Sequence, residues 1–173
     1  MFILNHVKPE EATGKVVEVY AMFPPEIPVP EPLLMMSASP ELVHLWTQNI
    51  IRYYRNHDRL DLGLMAAIRY LLSCENGYDA CANFNAGLLQ QAGGLSAAEL
   101  ADMRAHPEKA PLEESQKEML LFVLKAVKFP EKVTRADVEK LHELGWRDQD
   151  IYDATFIGAF MKSISILGKA LAV

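Results

Sequence analysis

The stretch from Leu60 to Gln91, LDLGLMAAIRYLLSCENGYDACANFNAGLLQQ, constrains this chain most. Its long apolar run is broken sharply only once, at Glu75-Asn76-Gly77, and it carries both cysteines, Cys74 and Cys81. A run of this length with helical spacing and one such break predicts helix, short turn, helix, with Cys81 near the start of the second helix. Asp61 is placed to cap the first helix, and Asn76 and Gly77 to stop it. Asn76 is also the predicted cap of the second helix, with Asp79 reaching back to it in a variant of the capping box.

The same signals recur along the chain. Gly14 to Phe23 reads as a short helix. Pro24 to Pro32 is too proline-rich for regular helix and reads as an ordered extended connector, with Ile27 and Val29 packing inward. Ser39-Pro40-Glu41-Leu42 opens a helix predicted to run to about Arg55, with Leu42, Trp46, Ile50 and Tyr53 on its apolar face. A second helix stop is expected at Gly93-Gly94. Capping boxes stand at Ser96-Ala97-Ala98-Glu99 and, in variant form, at Thr134-Arg135-Ala136-Asp137. Between them, Leu112 to Val127 is amphipathic, with Met119, Leu120, Val123 and Val127 on one stripe. Asp148 is the predicted cap of a last helix to about Leu171, rich in small residues (Ala154, Gly158, Ala159, Ser163, Ser165, Gly168) that let a neighbouring helix or subunit approach closely. No long alternating pattern signals a strand. The expectation is an all-α fold of about seven helices in one domain, 1–173, with residues 1–38 as an arm and connector packed on the helical body.

Composition excludes several functions. Half of the 173 residues are hydrophobic, enough for a substantial core, and the formal net charge is -6. With no cluster of Lys and Arg, a nucleic-acid partner is not expected. Runs such as Leu64 to Ile68 are short of a membrane span, and MFILNHVKPEE has no signal-peptide pattern. Two cysteines do not make a disulfide framework in a domain of this size, so a cytoplasmic location is expected. His6, His44, His57, His106 and His142 show no ligand spacing, so no metal is expected. Gly87 and Gly93-Gly94 do not follow a strand, so no phosphate cradle or nucleotide cofactor is expected. The eight methionines read as core filler.

The candidate chemistry lies at Cys81. A helix N-terminus favours a thiolate, while Asp79 opposes one. Tyr78 and Asn85 lie three and four residues away on the same face, and Ala82 is next in the chain. Cys74, seven residues earlier, would be about 10 Å distant in a straight helix, too far for a disulfide, but the intervening break changes that separation. The bland alternative is a buried thiol acting as a small hydrophobe.

RYLLSCENGYDACANFNAGLL resembles the core of the alkylhydroperoxidase AhpD / carboxymuconolactone decarboxylase superfamily, in which a helix ends in Asn-Gly and Cys-x-x-Cys-x-x-x-His opens the next. KFPEKVTRADVEKLHELGWRDQDIYDATFIGAFMKSISILGKAL is similar to the family's C-terminal half, and VVEVYAMFPPEIPVPEPLLMMSASPELV to its peroxidase-related branch. The resemblance implies a homo-oligomeric helical domain, a trimer or hexamer. It implies Cys81 as the peroxide-attacking thiol, with Tyr78 in place of the first cysteine, Asn85 in place of the histidine, and Ala66 at or next to the glutamate position. Two functions follow from it. One is a divergent thiol-dependent hydroperoxide reductase that uses Cys81, with Cys74 or an external thiol resolving the oxidised sulfur. The other is a non-redox relative that has lost its proton relay and uses the pocket near Tyr78, Cys81 and Asn85 to bind a small ligand, or serves as a structural or interaction protein.

Overall fold

The computed structural model describes residues 2–24 and 27–171. Every regular element among them is helical, as the capping and periodicity signals predict. Pro25 and Glu26 of the expected connector lie outside the described residues. The chain separates into two compact units, residues 1–57 with 166–173, and residues 58–165.

The first unit contains α1 (Gly14–Tyr20), α2 (Glu31–Met36), α3 (Pro40–Leu45), a π-helical segment (Trp46–Ile51) and α4 (Arg52–Arg55). Val16, Val19, Tyr20, Leu33 and Val43 form its core, and Val29 of the proline-rich stretch packs against them. Two expectations are corrected here. The chain turns helical already at Glu31, because Pro32 sits in the first turn, where its missing N–H is not needed. The stretch from Pro40 to Arg55 is helical throughout, but Leu42 and Tyr53 are exposed and the residues facing inward are Val43, Thr47 and Tyr54. The π segment widens the helix, so one 3.6-residue stripe cannot describe it.

The second unit is built on α5 (Leu62–Glu75), α6 (Asp79–Gln91), α7 (Ala97–Ala105), α8 (Glu114–Lys128), α9 (Arg135–Glu143) and most of α10 (Asp148–Leu171). Asp61 caps α5 by accepting from Leu64 N at 2.8 Å. Leu64 through Ile68 and Tyr70 through Ser73 are all buried, so α5 is enclosed nearly all round and forms the centre of this unit. The boxes at Ser96-Glu99 and Thr134-Asp137 form as predicted. Gly94 and Gly145 take left-handed φ of +69° and +88° at the ends of their helices.

The cap of α10 differs from the expectation. Asp148 is its first residue, and Asp150 makes the reach back, accepting from Arg147 N at 2.9 Å. Asp150 is fully buried and also accepts from Arg147 Nη2 at 2.7 Å, with Arg59 Nε at 3.5 Å. Among the described residues α10 is the one helix with the length and mean hydropathy (1.3) to cross a membrane. Ile151, Ala154, Ile157, Met161 and Ile164, which supply much of that hydropathy, are buried. Of its small residues, Gly158 admits a close approach: a Cβ there would lie 2.5 Å from Val123 Cγ1 of α8. Ala159 and Ser163 are exposed.

Candidate functional site

The α5–turn–α6 hairpin holds every residue singled out for chemistry. Its turn is closed by backbone. Asn76 ends α5, Gly77 follows at φ +62°, Gly77 N donates to Cys74 O (3.2 Å) and Tyr78 N donates to Ser73 O (3.0 Å). This is a Schellman stop, and it leaves Asn76 one helix too early to cap α6. The N-cap of α6 is Tyr78, with no side-chain cap bond, so the predicted Asn76 cap and Asp79 reach-back are both replaced by this turn.

Cys81 is the third residue of α6, within the first turn where the helix dipole favours negative charge. It is in no disulfide and is buried at 4% exposure. Tyr78 and Asn85 are buried on the same side of α6, and Asn85 Nδ2 donates to Cys81 O at 2.8 Å. That bond orients the amide, because a carbonyl can accept only from the nitrogen. Asn85 Oδ1 therefore points elsewhere, and it is buried with no hydrogen-bond partner. Ala66 is fully buried on α5.

One further residue acts on this site through its charge. Arg69 is the only charged side chain between Leu62 and Cys74, one turn beyond Ala66 on α5. The side chain as a whole reaches the surface in part, but its Nε is enclosed and has no hydrogen-bond partner. Burial pushes the guanidinium down to about 10, still charged at neutral pH, and the charge that acts against this loss is that of Cys81. A lone arginine inside an otherwise apolar helix was the available sequence signal. Reading it requires knowing which face of α5 meets α6.

Cys74 has different surroundings. It is half-buried and lines a pocket of about 250 Å³ with Leu71, Glu75, Arg104, Pro107, Leu124 and Lys128. Cys81 is not among the lining residues. At the rim Lys128 pairs with Glu75 at 2.8 Å. Burial pushes the Cys74 thiol up. Hydrogen bonding with Tyr70 and the charge of Arg104 oppose that shift, and Asp79 adds to it.

No family model and no curated protein matches this sequence. Solved structures do match. One is an uncharacterized peroxidase-related protein from Silicibacter sp. TM1040, 22% identical, aligned over 82% of this chain and 74% of that one with a TM-score of 0.72. Another is described as an alkylhydroperoxidase AhpD core, an uncharacterized peroxidase-related protein from Ralstonia eutropha JMP134. It is 23% identical over 90% of this chain and 78% of that one, again with a TM-score of 0.72. The fold is AhpD-like. At this identity the likeness speaks for the AhpD-like fold alone, and function has to be argued from the site.

Proposed function

We propose that this protein is a divergent thiol-dependent hydroperoxide reductase with Cys81 as its nucleophile. The observation that carries the reading is Arg69, whose Nε is enclosed without a partner and whose charge is coupled to Cys81. Partial desolvation of a cation is costly unless an anion accompanies it, and a thiolate at Cys81 is the anion whose charge offsets that cost. The helix start adds favourable potential. In the reaction the sulfur attacks the terminal oxygen of the hydroperoxide, the O–O bond breaks, and sulfenic acid and an alcohol result. A thiol then attacks the sulfenic sulfur and expels water. Cys74 or a small external thiol supplies that second step. Two thiols in no disulfide suit a reducing, cytoplasmic setting. Exposed Tyr152 and Phe156, stacked with ring centroids 6.5 Å apart on α10, support self-association, with a trimer or hexamer as the expected assembly.

Tyr78, Asn85 and Ala66 favour a second reading. They stand where the family resemblance implies a thiol, an imidazole and a carboxylate, and a scaffold without that relay would bind a small ligand or serve as an interaction protein. One experiment separates the two. The reduced protein is treated with an excess of tert-butyl hydroperoxide and a sulfenate-trapping dione, and the modified peptide is identified by mass. Adduct at Cys81, absent in Cys81→Ser, supports the reductase. A thiol that stays unmodified under excess peroxide rejects it.

A further inference from the structure

We propose that Arg69 and Asn85 together form a receptor for the O–O–H group of the hydroperoxide beside Cys81. The inference rests on the reductase reading and adds to it the groups that hold the substrate.

The hairpin supplies the geometry. Helices α5 and α6 run antiparallel from a tight turn and pack extensively against each other. Arg69 and Asn85 are equally far in sequence from Gly77, so they stand at the same height along the hairpin. Both are tied to Cys81. Arg69 acts on it by charge from α5, and Asn85 shares its strip on α6, bonded to its carbonyl.

Each residue offers one buried atom with no partner, and the two atoms are complementary. Arg69 Nε is a donor and Asn85 Oδ1 is an acceptor. Asn85 is only 3% exposed. Buried polar atoms without partners are uncommon and costly, and a donor and an acceptor left open at one height ask for a molecule that can serve both. A hydroperoxide is such a molecule. The O–H of its terminal oxygen donates to Asn85 Oδ1, and its inner oxygen accepts from Arg69 Nε–H.

The same two contacts fit the chemistry. The Cys81 thiolate attacks the terminal oxygen, so an S–O bond forms as the O–O bond breaks. Both bonding electrons go to the inner oxygen, which departs as alkoxide beside the guanidinium and takes a proton from water. Sulfur is oxidised to sulfenic acid and the hydroperoxide is reduced to alcohol. The Arg69 contact strengthens as charge builds on the leaving oxygen, which is what accelerates a step. Iodomethane, an alkylating agent with no hydrogen-bonding group, gains nothing from either contact except through the state of the thiol.

The test compares two reagents on one sulfur. In a Cys74→Ser background, loss of the Cys81 thiol is followed with tert-butyl hydroperoxide and with iodomethane, and the ratio of the two rate constants is taken. Asn85→Leu, close in size, and Arg69→Met are each expected to lower that ratio about tenfold, the loss typical of one hydrogen bond to a developing charge. Arg69→Lys, which keeps charge and a donor, is expected to recover part of it. Should Asn85→Leu not give the parent's far-UV circular dichroism, Asn85→Ala carries the same test. Ratios within twofold of the parent in folded Asn85 and Arg69 variants overturn the receptor while leaving the reductase standing. A parent that alkylates but never forms sulfenate overturns both.

Discussion

Replacing Gly158 by alanine should destabilise this protein, although alanine is the better helix former. In the middle of an exposed helix the exchange would gain about 1 kcal/mol. At Gly158 the added Cβ would fall 2.5 Å from Val123 Cγ1, 3.2 Å from Val127 Cγ2 and 3.3 Å from Leu72 Cδ1. Carbon atoms rest at about 3.5–4.0 Å, so roughly 1 Å must be found against Val123. Val123 is fully buried and, being β-branched, stiff at χ1, so its methyl cannot swing away cheaply. Helix α10 must therefore lift from α8. Overpacking costs about 1–3 kcal/mol, and with Val123, Val127 and Leu72 all met at once the upper part of that range, about 2–3 kcal/mol, applies and outweighs the propensity gain. The expected net loss is about 1–2 kcal/mol, or a fall in Tm of roughly 2–8 °C for a chain of this size. Urea denaturation followed by circular dichroism measures it. Adding Val123→Ala to Gly158→Ala should be much less harmful than the sum of the two single changes, since each relieves the other. A Gly158→Ala protein as stable as the parent, or more stable, refutes the claim that the two helices touch through this residue.

Other outcomes follow from the same physics. Asp150→Asn leaves the partly exposed Arg147 and Arg59 without their shared buried carboxylate, and should cost about 2 kcal/mol by urea denaturation. Hydrogen bonds from Arg147 hold the Asp150 carboxyl below its usual range, so its contribution is fully present above the ordinary carboxylate range near pH 4 and lost as pH falls through the lower folded value. Acid titration of stability should accordingly be shallower in Asp150→Asn than in the parent, and identical profiles would contradict this. Cys74, pushed up by burial, should alkylate slowly at pH 7 and accelerate through the alkaline range in a Cys81→Ser background; a rate already at its plateau near neutrality would be inconsistent with that shift. Ser96→Ala removes the hydroxyl's half of an exposed capping box, leaving the backbone N–H there donating to Glu99, and should cost about 1 kcal/mol, again by urea denaturation.

How much of this was legible before the coordinates depends on the range of the interaction involved. The boxes at Ser96 and Thr134 join a side chain to backbone three residues away, so sequence spacing alone specifies them. The same holds for the Asp61 cap and for the left-handed glycines at 94 and 145. Phase is less local. The π segment at Trp46–Ile51 displaces the inward stripe from Leu42, Trp46, Ile50 and Tyr53 to Val43, Thr47 and Tyr54, and no propensity at those positions announces it. Asn76 and Asp150 show a third kind of difficulty. Each sits among several polar residues able to cap, and the geometry of the turn decides which one does. At the site, Cys81 and Asn85 were readable from helical spacing. Arg69 was not, because its meaning comes from the helix opposite.

The reversal at Gly77 joins α5 to α6 without a cap bond from any side chain. What it fixes is an angle. Each residue inserted there would wind the second helix by about 100°, turning the sulfur away from its guanidinium neighbour while every amino acid around it stayed the same. The electrical environment of the thiol is thus a matter of chain length as much as of chemistry, and it hangs on a residue that has no side chain.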